Sequence, residues 1–187
     1  KINKKPFHEV VHEMIFEPLE MNDSFISGFS EPKNEAQFPP ANITLSNINF
    51  MEDKRIAKID YAGGGVVAPL SEFMVFMKAL VNGQLVKETT LHQMIYDDVK
   101  MGFPAIGFDY GYSVWKPKSI PLLMPEKLFC WGCVGITGAF MFYHPETKTY
   151  VIGTFNDESY SSKALSFMIK KIIKPLLKIK FPIPSRE

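Results

Sequence analysis

The sequence predicts an α+β fold in which helices and a long loop come first, followed by three antiparallel strands and one covering helix. Apolar residues recur every three or four positions in the first half, the period falls towards two after Phe108, and the last segment returns to the helical period. We therefore divide one domain into a helical region with a long loop, residues 1–107, and a strand region with a C-terminal helix, residues 108–187. Because three strands form a small sheet, we expect further polypeptide or a partner to complete it.

The composition is that of a globular protein. Hydrophobic residues make up 46% of the 187 residues, and 21 Lys and Arg nearly balance 20 Asp and Glu, which excludes a disordered chain, a collagen and a basic nucleic-acid-binding arm. Two cysteines and four histidines are too few for a disulfide framework and offer little for a structural metal site. We expect no cofactor and no nucleic-acid partner, and the basic start followed by Pro6 is not a targeting signal.

Three helices are predicted in the first half. The first begins at Pro6 and has an apolar stripe made of Phe7, Val10, Val11, Met14, Ile15 and Leu19. Prolines keep residues 22–60 irregular. The second helix follows the glycine cluster of residues 62–65 and ends at Asn82-Gly83, and Thr89 or Thr90 caps the third.

The second half is predicted to form the sheet and its cover. A strand is expected from Phe108 to Trp115, and two longer strands, residues 128–143 and 149–156, form an antiparallel hairpin around the polar turn of residues 144–148. A helix over residues 159–178 then covers one face of the sheet with Leu165, Met168, Ile169, Ile172, Ile173 and Leu176.

Several motifs stand in a recognisable order along the chain. They are a Pro-Leu-Glu-Met run within Phe16–Ser24, a glycine-rich turn into a helix at residues 62–73, Tyr-Gly-Tyr within Tyr110–Trp115, Gly132–Gly138 in a strand, and Asn156 at the end of the next strand. This order resembles the C-terminal two thirds of serine β-lactamase-like proteins, the family of class C β-lactamases, penicillin-binding proteins and esterases. Glu20 replaces the glycine of the family's Pro-Leu-Gly-Met signature.

The resemblance implies an incomplete β-lactamase/transpeptidase-like fold that lacks its N-terminal portion. It implies a serine hydrolase that acts through an acyl-enzyme on a β-lactam, a D-amino peptide or an ester, with a small-molecule or peptidoglycan-like substrate. The expected partner is the missing N-terminal part of the same protein, and an unpaired sheet edge also suggests a homodimer. Family members are often exported or membrane-tethered, and the location of this chain is not predicted.

The segment around Gly135 is the predicted active-site strand. An acyl-transfer oxyanion needs a fixed backbone donor, and Gly135 has no side chain to keep a substrate away from the backbone. The resemblance implies that the amide of Ile136 is one half of the oxyanion hole. It also implies that substrate contacts Cys133, Val134, Gly135 and Thr137.

Two departures from the family pattern are visible. Cys133 stands where the family has Lys or His, so it cannot supply a fixed positive charge for a substrate carboxylate. The family's Ser-x-x-Lys nucleophile and Tyr-x-Asn element are also missing. The Ser-x-x-Lys at Ser30 to Lys33 contains Pro32, which forbids the helical geometry the motif requires. We expect this chain alone to be inactive, and a non-catalytic binding or sensor module of the same fold remains an alternative.

Three other patterns offer competing interpretations. His8-Glu9-x-x-His12 spells a zinc-peptidase motif, for which Glu31 is the candidate third ligand. Cys130 and Cys133 form a Cys-x-x-Cys pair, but on a strand their side chains point to opposite faces, beyond disulfide reach. The basic C-terminal segment suggests a membrane surface, although lysines opposite an apolar helix face are ordinarily just solvated.

Overall fold

The computed structural model describes residues 3–35, 39–46, 48–49, 61–100, 108–117 and 125–179. Its helices are Phe7–Val11 (α1), Leu70–Val81 (α2), Glu88–Tyr96 (α3), Ala164–Phe167 (α4) and Lys174–Leu176 (α5), with π-helical stretches at His12–Phe16 and Met168–Ile173. Its strands are Phe25–Ile26 (β1), Thr44–Leu45 (β2), Ile48–Asn49 (β3), Val66–Val67 (β4), Val99–Lys100 (β5), Phe108–Tyr110 (β6), Trp115–Pro117 (β7), Trp131–Val134 (β8), Phe140–His144 (β9) and Thr149–Gly153 (β10). Short 3-10 turns lie at Glu126–Leu128 and Glu158–Tyr160.

The central sheet has six antiparallel strands in the order β10-β9-β8-β7-β6-β5, so the predicted α+β class is confirmed but the strand count of three is wrong. The stretch 128–143, expected as one strand, forms the hairpin β8–β9, because Gly138 has a φ of +72° and its amide closes a turn onto Gly135. The expected strand from Phe108 to Trp115 is likewise the hairpin β6–β7, reversed around Ser113, whose φ is 61°. The β8–β9 hairpin runs largely through apolar residues, so the alternation of side chains does not reveal where the chain turns there.

Helices cover both faces of the sheet. The C-terminal helical segment packs on one face, where the predicted core positions Leu165, Met168, Ile169 and Ile173 are buried with Phe140 and Phe142. On the opposite face α2 and α3 bury Met77, Leu80, Leu91 and Ile95 against Val114 and Trp131. Because α2 and α3 precede residue 108 and the sheet largely follows it, the two predicted regions share a core, and the division at residues 107 and 108 remains a prediction.

Two of the helical segments differ from the expected regular helices. Each contains a π-helical stretch that ends two residues before a proline, Pro18 in the first case and Pro175 in the second. A proline cannot donate to the carbonyl four residues earlier and crowds that turn, which accounts for the wider winding. Met14, placed in the apolar stripe of the first helix by its spacing, is 61% exposed because the π-turn rotates it away from the core.

The second helix agrees with its sequence signals. It ends at Asn82-Gly83, where Gly83 has a φ of 73°. The third helix begins at Glu88, and neither Thr89 nor Thr90 caps it. None of the helices in the described ranges is long and apolar enough to cross a membrane.

Candidate active site

The candidate active site lies at the tip of the β8–β9 hairpin. Strand pairing continues to Val134, which lies opposite Phe140, and the Gly135 amide donates to the Ala139 carbonyl over 2.8 Å. The Gly138 amide then donates to the Gly135 carbonyl over 3.1 Å, so Ile136 and Thr137 are the two central residues of a turn. The expected extended backbone therefore ends at Gly135, and Ile136 projects from the tip with 63% of its surface exposed.

The backbone amides of Ile136 and Thr137 are available for hydrogen bonding. Neither N–H has a protein acceptor among the residues that the structure describes. Their neighbours Gly135 and Gly138 both use their amides to close the turn. The tip thus presents two backbone donors without a protein acceptor in the described structure, and donors of this kind stabilise an oxyanion when a substrate carbonyl lies beside them.

The segment after β10 holds this turn in place. The Asp157 amide donates to the Thr137 carbonyl over 2.9 Å. A Cβ on Gly138 would lie 3.1 Å from the Tyr160 Cβ and 3.2 Å from the Asp157 carbonyl, so the turn packs closely against both. Hydrogen bonds from the Ser159 hydroxyl and amide hold the pKa of the Asp157 carboxyl below its usual range. The turn that contains the Asp157 carboxylate therefore packs against the tip and supports it.

A second loop, which contains Thr44 and Ser46, forms hydrogen bonds with the segment after β10 that supports the tip. The Thr44 amide donates to the Asn156 carbonyl over 2.9 Å. Glu158 accepts hydrogen bonds from the Ser46 amide and hydroxyl. Sequence reasoning missed Asp157, Glu158 and Ser46, although an Asp two residues before a Ser is a recognisable turn signal.

Two glycines of the predicted strand have different environments. A Cβ on Gly132 would lie 1.9 Å from the Met141 carbonyl oxygen, so no side chain fits there. A Cβ on Gly135 would meet its nearest atoms at 3.5 Å and 3.8 Å, which are ordinary contacts. Packing among the described residues therefore requires Gly132 to be a glycine but leaves room for a side chain at Gly135.

Cys133 is a neutral thiol rather than a charged group. Burial raises the pKa of the Cys133 thiol above its ordinary value, and it raises that of Cys130 to about 12. Both cysteines are free. Cys130 packs under the C-terminal helical segment, whereas Cys133 lies opposite Met141, which packs on the α2 side, so the expectation that they face opposite ways is confirmed.

Ser30 and Lys33 do not form a catalytic pair. The Ser30 hydroxyl accepts a hydrogen bond from the Ile26 amide over 2.8 Å, and the Ser30 amide donates back to the Ile26 carbonyl. Lys33 is exposed, and its amide donates to the Asn22 carbonyl. The motif is thus part of a loop, as Pro32 predicts.

The His8-Glu9-x-x-His12 motif is also engaged in other contacts. The Nδ1 atom of His8 lies 2.8 Å from the Tyr61 hydroxyl, and its ring stacks on Phe29 with the centroids 5.9 Å apart. His12 instead packs edge-on against Phe16. Within the described part of the chain, no three His, Cys, Asp or Glu side chains are grouped so that they could hold a metal ion.

Comparison with known proteins identifies the family. The sequence model of the family described as Beta-lactamase matches residues 1–166 of this chain. The chain therefore belongs to the β-lactamase family, and the resemblance to serine β-lactamase-like proteins predicted from the sequence is confirmed. No curated protein matches the chain.

Three solved structures show the same fold. D-amino acid amidase from Ochrobactrum anthropi SV3, complexed with D-phenylalanine, has a TM-score of 0.70 at 16% identity, over 95% of this chain and 54% of its own. Penicillin-binding protein from Bacillus halodurans has a TM-score of 0.63 at 17% identity, over 89% and 50%. D-stereospecific amidohydrolase from Streptomyces sp. has a TM-score of 0.62 at 18% identity, over 90% and 49%. The chain thus spans about half the length of the structures it matches.

Proposed function

We propose that this chain is the C-terminal part of a β-lactamase-like serine hydrolase and contributes the oxyanion-binding side of its active site. The proposal rests on Ile136. This residue is exposed at the tip of a supported turn, and its amide has no protein acceptor in the described structure. Gly135 directly before it is a glycine that packing does not require. A residue without a side chain beside a fixed donor favours the approach of a substrate to the backbone.

The proposed reaction is acyl transfer in two steps. A serine hydroxyl from polypeptide preceding Lys1 adds to the carbonyl carbon of the substrate, and the carbonyl oxygen becomes an oxyanion that accepts a hydrogen bond from the Ile136 amide. Collapse of this intermediate breaks the ester or amide bond, the leaving group takes up a proton, and an acyl-serine ester remains. Water then hydrolyses that ester through a second oxyanion at the same donor. A single oxyanion donor contributes about 10²- to 10³-fold to kcat.

The charges around the tip favour amides and esters that lack a free carboxylate. The neutral thiol of Cys133 replaces the cation that anchors a carboxylate in the family pattern, and the ionised Asp157 lies directly behind the turn. A carboxylate-bearing β-lactam would meet repulsion rather than attraction at this edge. An amide of a D-amino acid, the class of compound named for one of the similar structures, carries an ammonium group that suits a negative edge.

The remainder of the protein is proposed to pair with the sheet. β10 lies at one edge, and no strand pairs with its outer side within the described residues. Its apolar sequence, Thr149 to Gly153, is more typical of an inner strand. We assign this edge to the N-terminal part of the same protein, and pairing with a second copy is the alternative that light scattering on the purified chain would reveal.

Turnover by two forms of the protein tests the proposal. The 187-residue chain is compared with a form extended upstream of Lys1 by the residues that the gene encodes there. We expect the extended form to hydrolyse a short-chain ester or D-phenylalanine amide, with the chain alone inactive. Robust turnover by the chain alone would contradict the proposal, because it would place an activated nucleophile within these residues.

Cys133 also supports a second candidate function, a non-catalytic binding or sensor module of the same fold. A neutral thiol at this position removes the family's cationic anchor without replacing it. If the upstream gene sequence lacks both Ser-x-x-Lys and Tyr-x-Asn, this second function is the better one. No contact among the described residues supports a zinc peptidase. Tight zinc binding in calorimetry, lost on His12→Ala, would be needed to favour it.

A further inference from the structure

The C-terminal helical segment has one face packed on the sheet and one face covered with lysines. Ala164, Leu165, Met168, Ile169 and Ile173 are buried, which fixes the rotation of the segment on the sheet. The opposite side, called here the lysine face, carries exposed side chains about one helical turn apart, with Lys170 and Lys171 adjacent in the middle: Lys163, Phe167, Lys170, Lys171, Lys174 and Lys178. These side chains lie on the side of the segment that faces away from the sheet, from Lys163 to Lys178.

Apart from Lys163, whose charge acts on the Asp157 carboxylate, the lysines of this face have no acidic neighbour in the sequence around them. Seven Lys or Arg and one Glu lie in residues 160–187, whereas residues 1–159 carry 14 Lys or Arg and 19 Asp or Glu. No acidic residue occurs between Glu158 and Ile179. Lys163 lies over the Tyr160 ring at 5.1 Å, and the four lysines beyond it have no ion pair within the described ranges. The molecule therefore has a basic strip on an otherwise acidic body.

Apolar side chains accompany the lysines. Phe167, in the middle of the lysine face, is 41% exposed although its inner edge touches Phe155 and Phe140. Ile179 follows the last lysine and is 54% exposed. A helix face that contacts only water does not require an exposed Phe167 or Ile179, and both side chains lie among the lysines.

We propose that the lysine face docks on an anionic lipid surface. A flat, negatively charged bilayer surface can contact several lysines on one side of a helical segment at once, and four to eight such residues on an amphipathic helix are typical of acidic-lipid binding. Phe167 and Ile179 then enter the boundary between headgroups and acyl chains, as apolar residues of interfacial helices do. A nucleic acid would use the charges but would leave the aliphatic Ile179 without a partner.

Co-sedimentation with vesicles tests this interface. The 187-residue chain is mixed with vesicles of phosphatidylcholine, or of phosphatidylcholine with phosphatidylserine, at low and at physiological salt. We expect pelleting only with the anionic vesicles, weakening as salt rises. Binding falls at least about ten-fold in Lys170→Glu/Lys174→Glu, because each lysine near an anionic surface contributes roughly five-fold. The matched control, Lys78→Glu/Lys87→Glu, has the same net charge and alters exposed lysines near α2 and α3, so it retains most of the binding.

The outcomes separate the proposal from its competitors. Equal loss in both double variants would overturn it, because net charge and not this face would then control binding. Absence of pelleting together with tight binding to a short single-stranded RNA would assign the face to nucleic acid instead. The same three proteins are compared in the upstream-extended form, so that a folding defect of the shorter chain does not decide the result.

Discussion

The body and the tip of the β8–β9 hairpin contain similar residue types, but packing constrains the body more tightly than the tip. In the body, Gly132 lies so close to the neighbouring strand that a Cβ would overlap the Met141 carbonyl at 1.9 Å. At the tip, Gly135 has space for a side chain and Ile136 is largely exposed. The fold explains the first glycine, and it does not explain the second. Packing does not require a glycine at Gly135, and the next residue carries a free backbone donor. We therefore expect this position to have a function.

The largest effect is expected from Gly132→Ala. The methyl group would overlap backbone atoms of β9, Met141 O and Phe142 Cα, which cannot move aside without breaking the strand pairing. We expect a loss of at least about 3 kcal/mol in the free energy of unfolding, measured by urea denaturation. Stability within experimental error of the parent chain would show that the two strands are not paired as described.

Gly135→Ala is the matched control for stability and the test for function. Its methyl group meets only ordinary contacts, so the free energy of unfolding changes by less than about 1 kcal/mol. In the upstream-extended protein we expect ester or amide turnover to fall about 10- to 100-fold, because a displaced substrate carbonyl no longer reaches the donor. Unchanged turnover would mean that substrate does not approach the tip.

A smaller effect is expected from a change of pH, and it comes from Cys130, which directly precedes β8. The raised pKa of the buried Cys130 thiol, about 12 against an ordinary 9.0, means that the folded state keeps this proton while the unfolded chain loses it. Stability from this group is complete below pH 9 and declines as pH rises towards 12, by at most about 1.4 kcal/mol per pH unit.

Urea denaturation at pH values below and above the ordinary thiol pKa measures this decline. In Cys130→Ala the slope of stability against pH should be shallower than in the parent chain, whatever the absolute cost of the lost sulfur. An identical slope in both proteins would assign the alkaline destabilisation to other groups.

The sequence predicted the layers of the fold better than its turns. Periodicity, together with start and stop signals for α2, located α2 and the buried residues of the C-terminal segment, because each has an apolar stripe. The stretch 128–143 was read as one strand because it is apolar throughout. A glycine that reverses the chain, Gly138, is indistinguishable in the sequence from one that allows close strand packing, Gly132.

The candidate site was only partly predictable. Family resemblance pointed to Gly135 and Ile136, and their roles remain predictions. The residues that brace the turn, Asp157 and Tyr160, come from a segment about twenty positions later, and single-sequence patterns do not reveal such contacts. The prediction of an extended backbone at Ile136 was wrong, since the turn, and not the strand, exposes its amide.

Replacing Ile136 by proline in the upstream-extended protein tests the central claim most directly. Proline is favoured at the second position of a turn and removes the amide N–H, which makes no protein hydrogen bond in the described structure. We predict that Ile136→Pro lowers kcat about 10²- to 10³-fold with little change in thermal stability, whereas Ile136→Ala, which keeps the amide, stays within a few-fold of the parent. Equal activity of the proline and alanine variants would contradict the assignment of this amide to the oxyanion hole.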